Sequence, residues 1–162
     1  MKHHIRVVTR ACCHQFRRLR QTRRRVGQDI TEKLVLALII PRLDYCNSVL
    51  AGLPAVTIEP LQRVQNAAAR LIFDLRPRDH VSPCLIQLHR LPVRYRIDFK
   101  LATLMFSVAN RDCPQYIAEM VTPVSAASRR VGLRSTDTSD FVVPLLRCKF
   151  GETAFSYAGP RI

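Results

Sequence analysis

The sequence predicts a mainly α-helical fold: an irregular helical bundle with a basic N-terminal helix and a short C-terminal β-hairpin or extended segment. Two observations support this prediction. Apolar residues recur at helical spacing in several stretches between residues 5 and 121, and cap residues, glycines and prolines separate these stretches at short intervals. With 162 residues, of which 48% are hydrophobic, the chain is long enough to bury one core.

Residues 5–26 predict an arginine-rich helix that Gly27 ends. One face of this helix is apolar, and the other carries Arg6, Arg10, Arg17, Arg20 and Arg24. Residues 1–28 hold nine Lys and Arg and no carboxylate. Six of these residues are arginines within the nine positions 17–25. A cluster of this density is typical of a nucleic-acid patch or a nuclear-localisation signal, and otherwise of a solvated face. The six arginines of the cluster that we predict to contact nucleic acid are Arg17, Arg18, Arg20, Arg23, Arg24 and Arg25.

A basic, amphipathic, acid-free N-terminal segment is also compatible with a mitochondrial presequence. Presequences are rich in serine, and residues 1–28 contain none. We therefore expect a nuclear or cytoplasmic location rather than a mitochondrial one.

The second predicted helix begins at Asp29, where Asp29 can cap and Glu32 can reach back to it. Pro41 then removes one intrahelical hydrogen bond, so either two helices meet there or one helix kinks. The seven-residue spacing of Leu36, Leu43 and Leu50 favours one kinked helix. Gly52 stands where a C-terminal cap belongs.

Four more helices are predicted before residue 124. The segment 57–60 opens a third helix, whose apolar residues keep a 3.6-residue period to Leu75 and whose polar face includes Gln62, Gln65 and Arg63. Ser82 starts a short helix to about residue 89. A long helix over residues 93–109 and a short one over 115–121 follow.

Composition changes after residue 123. Residues 124–140 predict a flexible linker, because they are rich in Ser, Thr, Arg and Asp and lack an apolar period. Residues 141–143 suit a short strand, with 145–150 as its hairpin partner. The chain is thus expected to comprise a basic helix (1–28), a helical core (29–123), the linker, and a strand or extended segment (141–162).

Charge and cysteine content restrict the partners. With 26 Lys and Arg against 12 Asp and Glu, the net charge of +14 favours polyanions, namely RNA, DNA or anionic lipid. The longest apolar run, residues 34–40, is far below the roughly 20 residues of a membrane-spanning helix, so no transmembrane segment is predicted.

The six cysteines are expected to be free and mostly buried. Without a C-x-x-C or H-x-x-x-H pair or a glycine-rich loop, no metal or cofactor is predicted.

Four blocks of the sequence stand out in order. They are RLDYCNSVLAGLP (42–54), LQRVQNAAARLI (61–72), LHRLPVRYRIDFK (88–100) and PQY (114–116). Together they resemble the C-terminal, post-catalytic part of the polyprotein of non-LTR (LINE-type, jockey-like) retrotransposons. Compared with that family, the chain begins after the catalytic palm and stops before a common Trp-Asn-x-Leu-Pro ending, which favours a truncated fragment of an RNA-directed DNA polymerase.

The resemblance implies a thumb-like or connector helical region that grips an RNA/DNA duplex without reading its sequence. Arg63, Arg70, Arg94 and Arg96 are then candidates for phosphate contacts, with solvated arginines as the alternative. The parent polymerase uses an aromatic-x-Asp-Asp motif to hold two magnesium ions. This sequence has no Asp-Asp pair, and a salt link or cap is favoured for Asp44, so we expect no enzymatic activity.

Two other hypotheses remain open at this point. The chain could be a co-opted interaction module that docks a partner helix through Leu36, Leu43 and Leu50 and the alanine run 67–69. It could also be a fossil reading frame without selected function.

Overall fold

The protein is mainly helical in the computed structural model, which describes residues 1–127 and 140–162. The predicted linker over 124–140 therefore lies mostly outside the described residues. Two compact units are present: Met1–Asn47 with Leu53–Arg96, and Ser48–Gly52 with Ile97–Ile162. The α-helices are α1 (Lys2–Leu38), α2 (Ile40–Asp44), α3 (Ala55–Phe73), α4 (Ser82–Gln87), α5 (Val93–Ala109), α6 (Gln115–Ala118), α7 (Val124–Ala127) and α8 (Phe155–Ala158).

The packing of α1 against α3 forms most of the core of the first unit. From the N-terminal part of α1, the buried side chains include Ile5, Cys12, Phe16 and Leu19, which recur every three, four or seven residues and so share one side of the helix. The apolar face predicted for α3 is confirmed, with Leu61, Val64, Ala68, Ala69 and Ile72 buried.

Gly27 divides α1 into two helical segments, so the prediction that Gly27 ends the arginine-rich helix is confirmed. Its backbone has φ 74° and ψ −177°, which is not helical, and the helix resumes at Gln28. This region of backbone space is open essentially to glycine alone. The predicted cap by Asp29 is wrong, because Asp29 pairs with Lys33 and the Thr31 hydroxyl donates instead to the Gly27 carbonyl.

The predicted kinked helix from Asp29 to Leu50 is wrong. The chain divides it into the end of α1 at Leu38, the short helix α2 and a 3₁₀ helix, Asn47–Leu50. Pro41 lies in the first turn of α2. Backbone N–H groups in a first turn have no intrahelical acceptor, so the absence of an N–H on proline removes no hydrogen bond there. The αL backbone of Cys46, with φ 54°, then separates α2 from the 3₁₀ helix.

Two glutamines join α3 to the segment that precedes α5. Gln65 Nε2 donates to the Leu91 carbonyl at 2.8 Å, and Gln62 Oε1 accepts from the Val93 N–H at 2.8 Å. The prediction that Gln65 lies on the polar face is wrong, since it is 1% exposed. The bond from its amide nitrogen to the carbonyl of Leu91, in the loop before α5, offsets the cost of burying that donor.

The bounds predicted for α5, residues 93–109, are confirmed.

The predicted C-terminal hairpin is not confirmed. Phe141 makes an isolated antiparallel bridge with Pro123, and Lys149–Thr153 is a 3₁₀ helix. Pro144 contributes to this result because it has no N–H for a strand ladder. Among the residues that the structure describes, none of the helices combines the length and the hydrophobicity of a membrane span.

All six cysteines are free, as expected, but most are not buried. Cys12 is 0% exposed, whereas Cys13, Cys46 and Cys148 are exposed. Burial raises the pKa of the Cys12 thiol to about 11, although nearby Arg42 acts in the opposite direction.

The adjacent thiols Cys12 and Cys13 test the orientation of α1. Native protein treated with iodoacetamide at about pH 8 should be alkylated at Cys13 while Cys12 stays protected, because a buried, protonated thiol is a poor nucleophile. Tandem mass spectrometry of the tryptic peptide 11–17, which carries both residues, gives the ratio directly. Equal alkylation of the two thiols in folded protein would contradict the described packing, and equal alkylation in urea is the control.

Candidate nucleic-acid interface

One exposed side of α1 carries a line of arginines. Arg6, Arg10, Arg17, Arg20 and Arg24 are separated by four, seven, three and four residues, so they follow one face of the helix; we call this set the arginine stripe. All five are exposed. At 1.5 Å per residue, the stripe is about 27 Å long. Cys13 occupies the position between Arg10 and Arg17.

Arg18 and Arg25 lie beside the stripe and are also exposed. Within residues 1–127 and 140–162, no carboxylate forms an ion pair with these two arginines or with the stripe. Seven positive charges thus share one helix without internal neutralisation. Their mutual repulsion decreases when an external polyanion binds, which favours such a partner.

Arg23 differs from its neighbours in the cluster. It is half-buried, and its Nε and Nη2 atoms donate to the carbonyls of Leu71 and Ile72, each at 3.1 Å. These carbonyls belong to the last turn of α3, where helix geometry leaves carbonyl groups without an N–H donor. Arg23 therefore caps α3. Its spacing from Cys12, Phe16 and Leu19 is the sequence signal that places it on the buried side.

Arg70 and Arg96 are also engaged within the first unit. Arg70 Nη2 donates to the Asp79 carbonyl at 3.4 Å, and Arg70 is half-buried. Arg96 forms an ion pair with Asp44, as expected for that carboxylate. Burial lowers the pKa of Arg96, and Arg90 lowers it further, while Asp44 raises it. Both guanidinium groups thus support the fold and offer little surface to a phosphate.

Arg63 and Arg94 remain on the surface. Arg63 is paired with Glu59, its Nη2 lying 2.6 Å from Glu59 Oε1, and exposed pairs of this kind are weak. Arg94 is exposed, with no ion-pair partner among the described residues. These two positions are separate from the line of charges on α1.

The surface predicted for helix docking is already covered. Leu43 and Leu50 are 3% and 1% exposed, and Ala68 and Ala69 are 3% and 1% exposed. Leu36 and Ala67 are half-buried. A partner helix would therefore have to displace side chains that this chain buries itself.

Among the described residues, no group of three or more His, Cys, Asp or Glu side chains is arranged to hold a metal ion. Two carboxylates of the first unit have other partners: Asp44 pairs with Arg96, and the Asp79 carboxylate accepts the Arg76 N–H at 2.7 Å.

Comparisons with known proteins return no similarity. No family model matches the chain, and neither a curated protein nor a solved structure matches it significantly.

The adjacent residues Arg23 and Arg24 should separate a structural role from a surface role. Arg23→Ala should lower the free energy of unfolding by about 1–2 kcal/mol, because two carbonyls of the last turn of α3 lose a charged donor. Arg24→Ala is the matched control and should change it by less than about 0.5 kcal/mol. Urea unfolding followed by circular dichroism measures both. Equal effects of the two substitutions would contradict the capping role.

Proposed function

We propose that this chain binds the sugar–phosphate backbone of RNA or DNA without reading its sequence, through the arginine stripe with Arg18 and Arg25. The observation that carries the proposal is seven exposed arginines on one helix, none paired with a described carboxylate. Arg23, Arg70 and Arg96 are engaged within the fold, and Arg63 and Arg94 are secondary positions.

The physical basis of binding is the release of counterions from the nucleic acid. Each phosphate neutralised by an arginine releases condensed cations, so the affinity falls steeply as salt rises. Because another face of α1 is packed against α3, the arginine side chains start along one line of the helix before binding, which lowers the ordering cost. Contacts of this kind position a protein on nucleic acid and carry no sequence information.

The four sequence blocks support a further proposal: the chain derives from the post-palm region of a LINE-type reverse transcriptase. Three of these blocks contact one another in the first unit. Asp44 from the first pairs with Arg96 from the third, and Gln62 and Gln65 from the second bond to backbone groups of the third. The block residues thus stabilise a scaffold. We propose that the chain lacks polymerase activity and that it acts in the nucleus or cytoplasm.

The salt dependence of binding tests this function. Changing Arg17, Arg20 and Arg24 together to Gln should reduce the slope of log K against log salt concentration for duplex DNA by about 2.7, since each lost phosphate contact contributes about 0.9. Fluorescence anisotropy with a labelled duplex measures the slope.

The matched control removes three equally charged, exposed residues elsewhere: Arg76, Arg78 and Lys100, each changed to Gln. The control should keep most of the wild-type slope. Equal reductions in the two triple variants would show that net charge alone drives binding, and an unchanged slope in the first variant would remove the stripe from the interface.

A further inference from the structure

An apolar groove lies beside the arginine stripe in the first unit. The N-terminal part of α1 contributes Val7, Val8 and Ala11, and the other wall is formed by Ala37, Leu38, Pro41, Arg42 and Tyr45. The groove has a volume of about 390 Å³. This volume is within the range of small-molecule sites. No acidic residue lines it.

Two of the lining residues are exposed and carry planar groups. Tyr45 is 69% exposed, which is a large exposure for an aromatic side chain. Arg42 uses its Nε atom to donate to the Leu38 carbonyl at 3.2 Å, and within residues 1–127 and 140–162 no hydrogen bond engages the two terminal nitrogens of its guanidinium group. A planar apolar ligand with attached negative charge would match both groups.

The positive charge around the groove favours an anionic ligand over a second copy of this chain. Arg6 precedes Val7 and Arg10 precedes Ala11, so the basic stripe adjoins the wall that α1 contributes. A second copy of this chain would bring the same basic surface and a net charge of +14 against it, which is repulsive. An anionic ligand is attracted to the same surface.

We propose that this groove holds an unpaired base of a single-stranded nucleic acid, with Tyr45 stacking on the base and Arg6, Arg10 and Arg42 contacting the adjacent phosphates. Unpaired bases are recognised by stacking on aromatic rings and guanidinium planes, and a basic groove follows the backbone. The inference rests on the proposed function and adds to it a preference for single strands over duplexes.

The experiment compares a labelled single-stranded RNA with a duplex of equal length, using anisotropy on the full chain. Tyr45→Ala should weaken single-strand binding by about fivefold or more, because a stacked base is lost, and should leave duplex binding within about twofold. Tyr45→Phe keeps the ring and should retain the single-strand affinity. Tyr116→Ala is the matched control, since Tyr116 is 65% exposed, and should have no effect.

A second variant tests the groove without removing the ring. Ala37 is exposed, so Ala37→Leu narrows the groove with little effect on the core. This variant should weaken single-strand binding selectively. A 2-aminopurine base within the RNA should lose emission on binding to wild-type protein and less so on binding to Tyr45→Ala.

The outcomes separate the two proposals. If Tyr45→Ala weakens the binding of single strands and of duplexes equally, or changes neither, the groove does not hold a base. The proposal that the stripe binds duplexes is then unaffected, because the salt dependence of duplex binding tests it separately. The inference would also be overturned if Tyr45→Ala weakened the binding of an acidic peptide or of phosphatidylserine vesicles but not the binding of single-stranded RNA. Failure of both the single strand and the duplex to bind would remove the proposed function itself.

Discussion

The packing of α1 against α3 is the interaction on which the rest of the first unit depends. A helix with many like charges and no acid in residues 1–28 repels itself, and an isolated helix is marginal in water even without such repulsion. Burial of Cys12, Phe16 and Leu19 offsets that cost, at about 1.5–3 kcal/mol for each large apolar side chain. The same packing leaves the arginines of the stripe in solvent. One face of α1 therefore stabilises the protein, and the other is available to a polyanion.

The basic side chains divide into two groups by what surrounds them. Arg23 is held by two carbonyls of α3 and Arg96 by the Asp44 carboxylate, so both are engaged within the fold. Arg17 and Arg24 extend into solvent. Removing Arg23 takes a charged donor from two carbonyls of α3, whereas removing a residue of the second group changes only the surface potential. The division explains how a chain with a net charge of +14 uses some arginines for folding and offers others to a ligand.

The sequence was sufficient for the long, regular helices because Pro92 and the turn residues after Ala109 delimit α5 on both sides. The prediction of one kinked helix around Pro41 was wrong, because a proline fits the first turn of a new helix as well as a kink within a continuous helix. The arginine cluster could be recognised from composition, and the spacing of Arg23 from Cys12, Phe16 and Leu19 distinguishes it from Arg24, but its capping role requires the position of α3. The groove was not predicted because it joins residues near position 7 to residues near position 45. Such non-local surfaces have no periodic signature.

The most direct test of the account is arginine footprinting with phenylglyoxal, read by mass spectrometry, in the presence and absence of a saturating RNA or DNA duplex. The account predicts that bound nucleic acid protects Arg17, Arg20 and Arg24, while the equally exposed Arg76 and Arg78 react at unchanged rates. Protection of Arg76 and Arg78 to the same degree, or continued reactivity of the stripe in the complex, would contradict it.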